Sequence, residues 1–141
     1  NYASNIHIDN EVPELQVRVN RILFTRVLVN LIHNAALAVE KGRELAIWIH
    51  VRARLVDDLP FITFSVSDNG CGMTEQQQAT MWEQGISGFG SSGLGLAFVK
   101  QTVEAMDGSV ISESQPGKGT RFIIFLPEVV NHGTKDYDTF H

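Results

Sequence analysis

Residues 67–73 read S-D-N-G-C-G-M, and residues 87–100 read S-G-F-G-S-S-G-L-G-L-A-F-V-K. Seven of the chain's twelve glycines fall between Gly70 and Gly95. Ordering a glycine costs more backbone entropy than ordering any other residue, so the cluster implies positive φ angles or backbone passing close to a ligand. Asp68 leads the first glycine pair, and the last pair opens an apolar helix. A carboxylate accepts hydrogen from an amino group, and the amides at a helix N-terminus receive phosphate. The pattern suits a nucleotide better than it suits a glycine-rich surface loop.

Outward from this stretch, the hydrophobic period alternates between that of strands and that of helices. Residues 5–9 and 15–19 alternate as short strands do. From Arg21 to about Glu40 the period is helical, with Phe24, Leu28, Leu31, Ala35 and Val39 as the expected buried stripe, and Lys41-Gly42 ends it. Residues 45–56 and 61–67 predict two strands, joined by D-D-L-P into an antiparallel hairpin. A short helix is expected from Thr74. A longer one runs from Gly93 to about Met106, with Leu94, Phe98, Val99, Val103 and Met106 inward. Strands at 109–114 and 119–126 follow, joined by Q-P-G-K-G. Beyond Pro127 the pattern stops, so 1–127 is expected as the domain and 128–141 as a polar tail or linker.

Composition narrows the function classes. A chain of 141 residues with 43% hydrophobic and 19% charged residues is ordinary for one globular domain. The net charge of -5 argues against non-specific nucleic-acid binding, which needs a basic surface. No apolar run reaches membrane-spanning length, and no signal-peptide pattern opens the chain. One cysteine fits a reducing compartment. The first residue is Asn1, not methionine, so a fragment of a longer chain is expected.

On the first helix, Asn30 and Asn34 are four apart and share a face beside the apolar stripe. Asparagine is a poor helix former, so two of them beside a core suggest that their amides are used. Stacked amides can offer a carbonyl oxygen to Mg²⁺ and a donor to phosphate, and Mg²⁺ commonly takes only one or two protein ligands. Other motif matches fail. Gly88-Phe89-Gly90-Ser91-Ser92-Gly93 spells G-x-G-x-x-G without a preceding strand, and the V-A-I-K, H-R-D and D-F-G motifs of protein kinases are missing.

Taken together, R-V-L-V-N-L-I-H-N-A (26–35), D-N-G-C-G-M (68–73), S-S-G-L-G-L-A (91–97) and G-K-G-T-R-F (117–122) resemble, in order, the N box, the two glycine boxes and the last glycine motif of bacterial sensor histidine kinases. These belong to the GHKL group shared with gyrase, Hsp90 and MutL. The resemblance covers almost the whole chain. It implies a Bergerat fold: a two-layer α/β sandwich with a mixed, mainly antiparallel sheet, three helices on one face and a mobile lid at 74–92.

The resemblance also implies roles. Asp68 would accept the adenine amino hydrogen, Gly70 and Gly72 would let the backbone turn beneath the base, and Thr120 would support the adenine end. Asn34 would coordinate Mg²⁺ with Asn30 beside it at the phosphates. Gly93 and Gly95, with Leu94 between them, would bring helix amides to the phosphate chain, and Ser91 and Ser92 would add hydroxyl donors. ATP and Mg²⁺ are the implied cofactors. The implied reaction is transfer of the γ-phosphoryl group to a histidine on a separate dimerisation domain of the same parent, which then serves a response regulator. The implied setting is cytoplasmic, in a parent of homodimeric, membrane-bound type.

Two departures sharpen the expectation. Gyrase-type ATPases place a water-activating glutamate four residues before the metal asparagine, and here that position is Asn30, which favours a kinase over an ATPase. The lid carries no basic residue, since no Lys or Arg occurs from Leu55 to Val99. The lid's usual phenylalanine corresponds to Trp82 or Phe89. His33, Trp48, Cys71 and Lys118 are expected to be surface or packing residues. None of the five histidines sits in a phosphoacceptor context. The alternatives are another GHKL protein kinase, such as a serine kinase, or a non-catalytic nucleotide-binding relative.

Overall fold

The computed structural model describes residues 6–12, 17–83, 95–128 and 138–140. Five strands form the main sheet. They are β1 (Ile6–Asn10), β3 (Ile47–Val56), β4 (Leu59–Asp68), β5 (Ser109–Ser114) and β6 (Thr120–Pro127), in the order β1-β3-β4-β6-β5. Only β1 pairs in parallel, with β3, and the other ladders are antiparallel. Helices α1 (Arg21–Ala38), α2 (Glu75–Thr80) and α3 (Gly95–Ala105) complete the sandwich. Among the described residues no helix is long and apolar enough to cross a membrane.

Local chemistry accounts for the element ends. The β3–β4 turn is Asp57-Asp58, with φ of 51° and 64°, and Leu59 already pairs with Val56. Two successive left-handed residues make the primed turn whose twist matches antiparallel strands. Asn20 caps α1 by accepting from Leu23 N at 3.1 Å. Thr74 and Gln77 close a reciprocal capping box on α2, which lets so short a helix start cleanly.

The sheet's inner face is read from its register. Ile62, Val66, Phe122, Ile124 and Leu126 alternate inward beside Ile47, Ile49 and Val51. Against them α1 buries Phe24, Val27, Leu31, Ala35 and Ala38, and α3 buries Leu96, Val99 and Val103. Phe24 meets Phe64 edge-on at 5.1 Å. The expected stripe holds at Phe24, Leu31 and Ala35, but the covered face is broader than that stripe: Leu28 and Val39 are half-buried, and Val27, Asn34 and Ala38 are buried as well. The reason is that α1 packs against α3 as well as the sheet, so its covered face is wider than one stripe. On α3 the same effect buries Leu96 and Ala97 and leaves Phe98 and Met106 half-buried.

One element was not expected. Within 128–141, β7 (Asp138–Phe140) pairs antiparallel with β2 (Val17–Val19), and Glu128 bridges to Val17. The polar sequence hid this strand, because three residues are too few for an alternating pattern.

Candidate functional site

At the end of β4, the inner face of the sheet changes from apolar to polar. Asp68, Thr120 and Ser114 stand side by side on β4, β6 and β5, one level beyond Val66 and Phe122. Asp68 Oδ1 accepts from Gly70 N at 2.8 Å and from Thr120 N at 3.3 Å. Among the described residues no hydrogen bond ends on Oδ2, which leaves that oxygen for a ligand. Burial raises the Asp68 carboxyl above the usual carboxylate range, and the two backbone bonds offset only part of the shift.

The loop after Asp68 is laced to distant segments. The Asn69 side chain accepts from Ala46 N at 2.9 Å and donates to Glu44 O at 2.8 Å. Cys71 N donates to Ala38 O at 2.8 Å, and Gly117 N donates to Cys71 O at 2.7 Å. Gly72 has φ of 73°, and a Cβ there would lie 2.0 Å from Gln115 O. Gly119 is equally constrained, since its Cβ would lie 2.1 Å from Asp68 O. These glycines are demanded by the protein's own backbone packing.

Gly95 is different. A Cβ there would meet the Asn30 side chain at an ordinary 3.7 Å. Nothing in the described chain requires glycine at this helix start, where alanine would be the better helix former. What the glycine keeps open is the space between the α3 N-terminus and α1. Asn30 and Asn34 face that side of α1. Asn34 is buried, 8% exposed, and among the described residues its Nδ2 has no hydrogen-bond partner. A buried unpaired amide is costly unless a ligand completes it.

The residues present fit a magnesium ion carried by phosphates. Among the described residues no group of three or more His, Cys, Asp or Glu could hold a metal on its own. A hard cation here would take few protein oxygens and fill its shell from phosphate and water, as Mg²⁺ does.

The structure thus brings Asp68, Gly70, Gly72 and Thr120 together, and Asn30 beside Gly95. Ser91, Ser92, Gly93 and Leu94 lie outside the described residues, as does Phe89. Of the expected lid, residues 74–83 are described. Trp82 packs edge-on against Phe122 at 5.8 Å, so it anchors the end of this described segment on the core. His33 and Lys118 are exposed, Cys71 is half-buried, and Trp48 stacks on His7.

Sequence reasoning missed Ser114, Asn69 and Gln78. Gln78 Nε2 donates to Ser114 O at 3.1 Å and its Oε1 accepts from Ser112 Oγ at 3.2 Å, clamping α2 to β5. The available signal was serine at 112 and 114, in the same phase as the inward-facing Val110.

Residues 19–130 match the family described as histidine kinase-, DNA gyrase B-, and HSP90-like ATPase. The alginate biosynthesis sensor protein KinB of Pseudomonas aeruginosa is 34% identical over 125 residues, covering 86% of this chain and 20% of that protein. Sensor histidine kinase DcuS of Escherichia coli K12 is 38% identical over 125 residues, covering 86% and 22%. The chain therefore spans about a fifth of these relatives' length. The solved structure of full-length ShkA in complex with AMPPNP superposes with a TM-score of 0.70 at 25% identity, covering 92% of this chain and 27% of that one. The family model spans most of the chain, and the chain belongs to the histidine kinase-, DNA gyrase B-, and HSP90-like ATPase family, similar within it to the catalytic ATP-binding domain of sensor histidine kinases.

Proposed function

We propose that this domain binds Mg·ATP and presents the γ-phosphoryl group to a histidine on a separate dimerisation domain of its parent, in a cytoplasmic two-component pathway ending on a response regulator. The observation that carries the reading is the pairing of two unfinished polar groups in one fold: the Asp68 carboxylate, whose Oδ2 takes no hydrogen bond among the described residues, and the buried Asn34 Nδ2, a donor without a partner among them and suited to a phosphate oxygen. Asp68 accepts the adenine amino hydrogen, a contact guanine cannot make, and Thr120 supports the same end of the base. Gly70 and Gly72 shape the loop beneath it. Asn34 offers its amide oxygen to the metal, and Asn30 lies at the phosphates beside Gly95. Residues 91–94 supply hydroxyl and amide donors to the phosphate chain. Magnesium, when bound, neutralises charge on the transferring phosphate oxygens. Position 30 holds an amide that cannot serve as a base toward water, which favours transfer over hydrolysis.

Incubation with γ-labelled ATP and the parent's histidine-bearing helices, supplied as a separate chain, tests this reading. The expected product is acid-labile, base-stable label on those helices, lost in Asn34→Ala. Acid-stable phosphoserine on the domain itself would point to a serine kinase. Rapid phosphate release would reveal an ATPase. Equal affinity for ATP and GTP would remove the adenine assignment.

A further inference from the structure

Ser114 Oγ lies within hydrogen-bond reach of three groups. Met73 N donates to it at 2.8 Å, the Gly119 carbonyl oxygen stands at 2.9 Å, and Thr120 Oγ1 stands at 2.9 Å. A serine hydroxyl has one hydrogen and two lone pairs. The Gly119 carbonyl can only accept, so the Ser114 hydrogen goes to it. One lone pair takes the Met73 amide, and the other is left for the Thr120 hydroxyl. Thr120 therefore donates its only hydrogen to Ser114. Its oxygen keeps acceptor capacity alone, on a side chain only 6% exposed and one strand away from Asp68.

We propose that Ser114 is a positioning residue for base specificity: it fixes the hydrogen-bond polarity of Thr120, so that Thr120 and Asp68 form two adjacent acceptors. A hydroxyl free to rotate serves donors and acceptors alike. One held as an acceptor favours a purine bearing an exocyclic amine at position 6 and disfavours one bearing an oxo group there. Ser114 touches no ligand itself. It acts by removing the alternative orientation of its neighbour. The inference rests on the adenine-binding reading above.

The test is calorimetric titration of ATP and inosine triphosphate, which has oxo in place of the amine, on the chain and its variants. Wild type should prefer ATP. Ser114→Ala frees the Thr120 hydroxyl to donate, and should lower the ATP-to-ITP affinity ratio by about three- to tenfold, the value of one hydrogen bond. Ser114→Thr retains the hydroxyl and should restore the ratio. Should Ser114→Ala fail to fold, Thr120→Val removes the same acceptor at constant shape, and its ratio should fall through weaker ATP binding. A ratio unchanged in Ser114→Ala, with both nucleotides weakened alike, would mean that Ser114 is merely structural and would overturn the proposal; so would an unchanged ratio in Thr120→Val. Equal binding of both nucleotides by wild type would instead overturn the adenine reading beneath it.

Discussion

Asp68 is held in a conflict between folding and binding. Its carboxyl is raised, so the folded state keeps this proton more tightly than the unfolded chain does. The associated stabilisation is present below the ordinary carboxylate value and is lost as pH rises through the higher folded value. At neutral pH the ionised group is therefore a burden on the fold. Asp68→Asn, whose amide oxygen can still accept from Gly70 and Thr120, should melt no lower than wild type at pH 7. Any advantage should shrink on acidification toward the carboxylate range. The same variant should lose on the order of 1.5–3 kcal/mol of ATP affinity, the value of a hydrogen bond to a charged group. Thermal melts at two pH values and one titration check both halves. Glycines offer a matching contrast. Gly95→Ala should leave stability unchanged or raise it by up to about 1 kcal/mol while weakening ATP binding. Gly72→Ala, forced into a positive φ against the Gln115 carbonyl, should cost at least about 2 kcal/mol of stability. Denaturant melts separate the two. Asn30 and Asn34 stood out in the sequence because amides are out of place beside a core, and Asp68 because it leads a glycine pair. Ser114 and Asn69 did not, because each bonds a backbone group far along the chain, Met73 lying 41 residues before Ser114 and Ala46 23 residues before Asn69.

At the scale of elements, α3 ends in a left-handed residue that is not glycine. Asp107 has φ of 63°, its amide donates to Glu104 O at 3.1 Å, and Gly108 N donates to Val103 O at 3.0 Å. This is the Schellman arrangement, which favours glycine at the left-handed position. An acid at a helix C-terminus also opposes the macrodipole. Asp107 is exposed, so Asp107→Gly should stabilise the domain by about 0.5–1 kcal/mol with nucleotide affinity unchanged. A denaturant titration alongside a binding isotherm decides it. Element existence was legible throughout the main sheet and the helices, since each carries its period over several residues. The width of the buried faces of α1 and α3 was not, because single-helix periodicity is blind to a second packing partner. The strand at 138–140 was invisible because its pairing with 17–19 is set by tertiary proximity.

For the molecule as a whole, the fold class was readable because the order of boxes along the chain matches the order in which helix, hairpin, helix and hairpin contribute to one face. How the loops are stitched together was not readable. Cys71 is tied on one side to Ala38 and on the other to Gly117, a closure that only the folded sheet brings about. The order β3-β4-β6-β5 means that β4 gains its second neighbour from a strand that begins more than fifty residues later. During synthesis, then, the uncharged run F-I-T-F-S-V at 61–66 emerges with one flank unpaired. Such a strand is a template for intermolecular pairing. A nascent chain stopped before Thr120 should be aggregation-prone and unable to retain ATP, and release of the last hairpin should cure both defects at once. The same late strand that supplies Thr120 to the base is the one that shields β4 from its neighbours on the polysome.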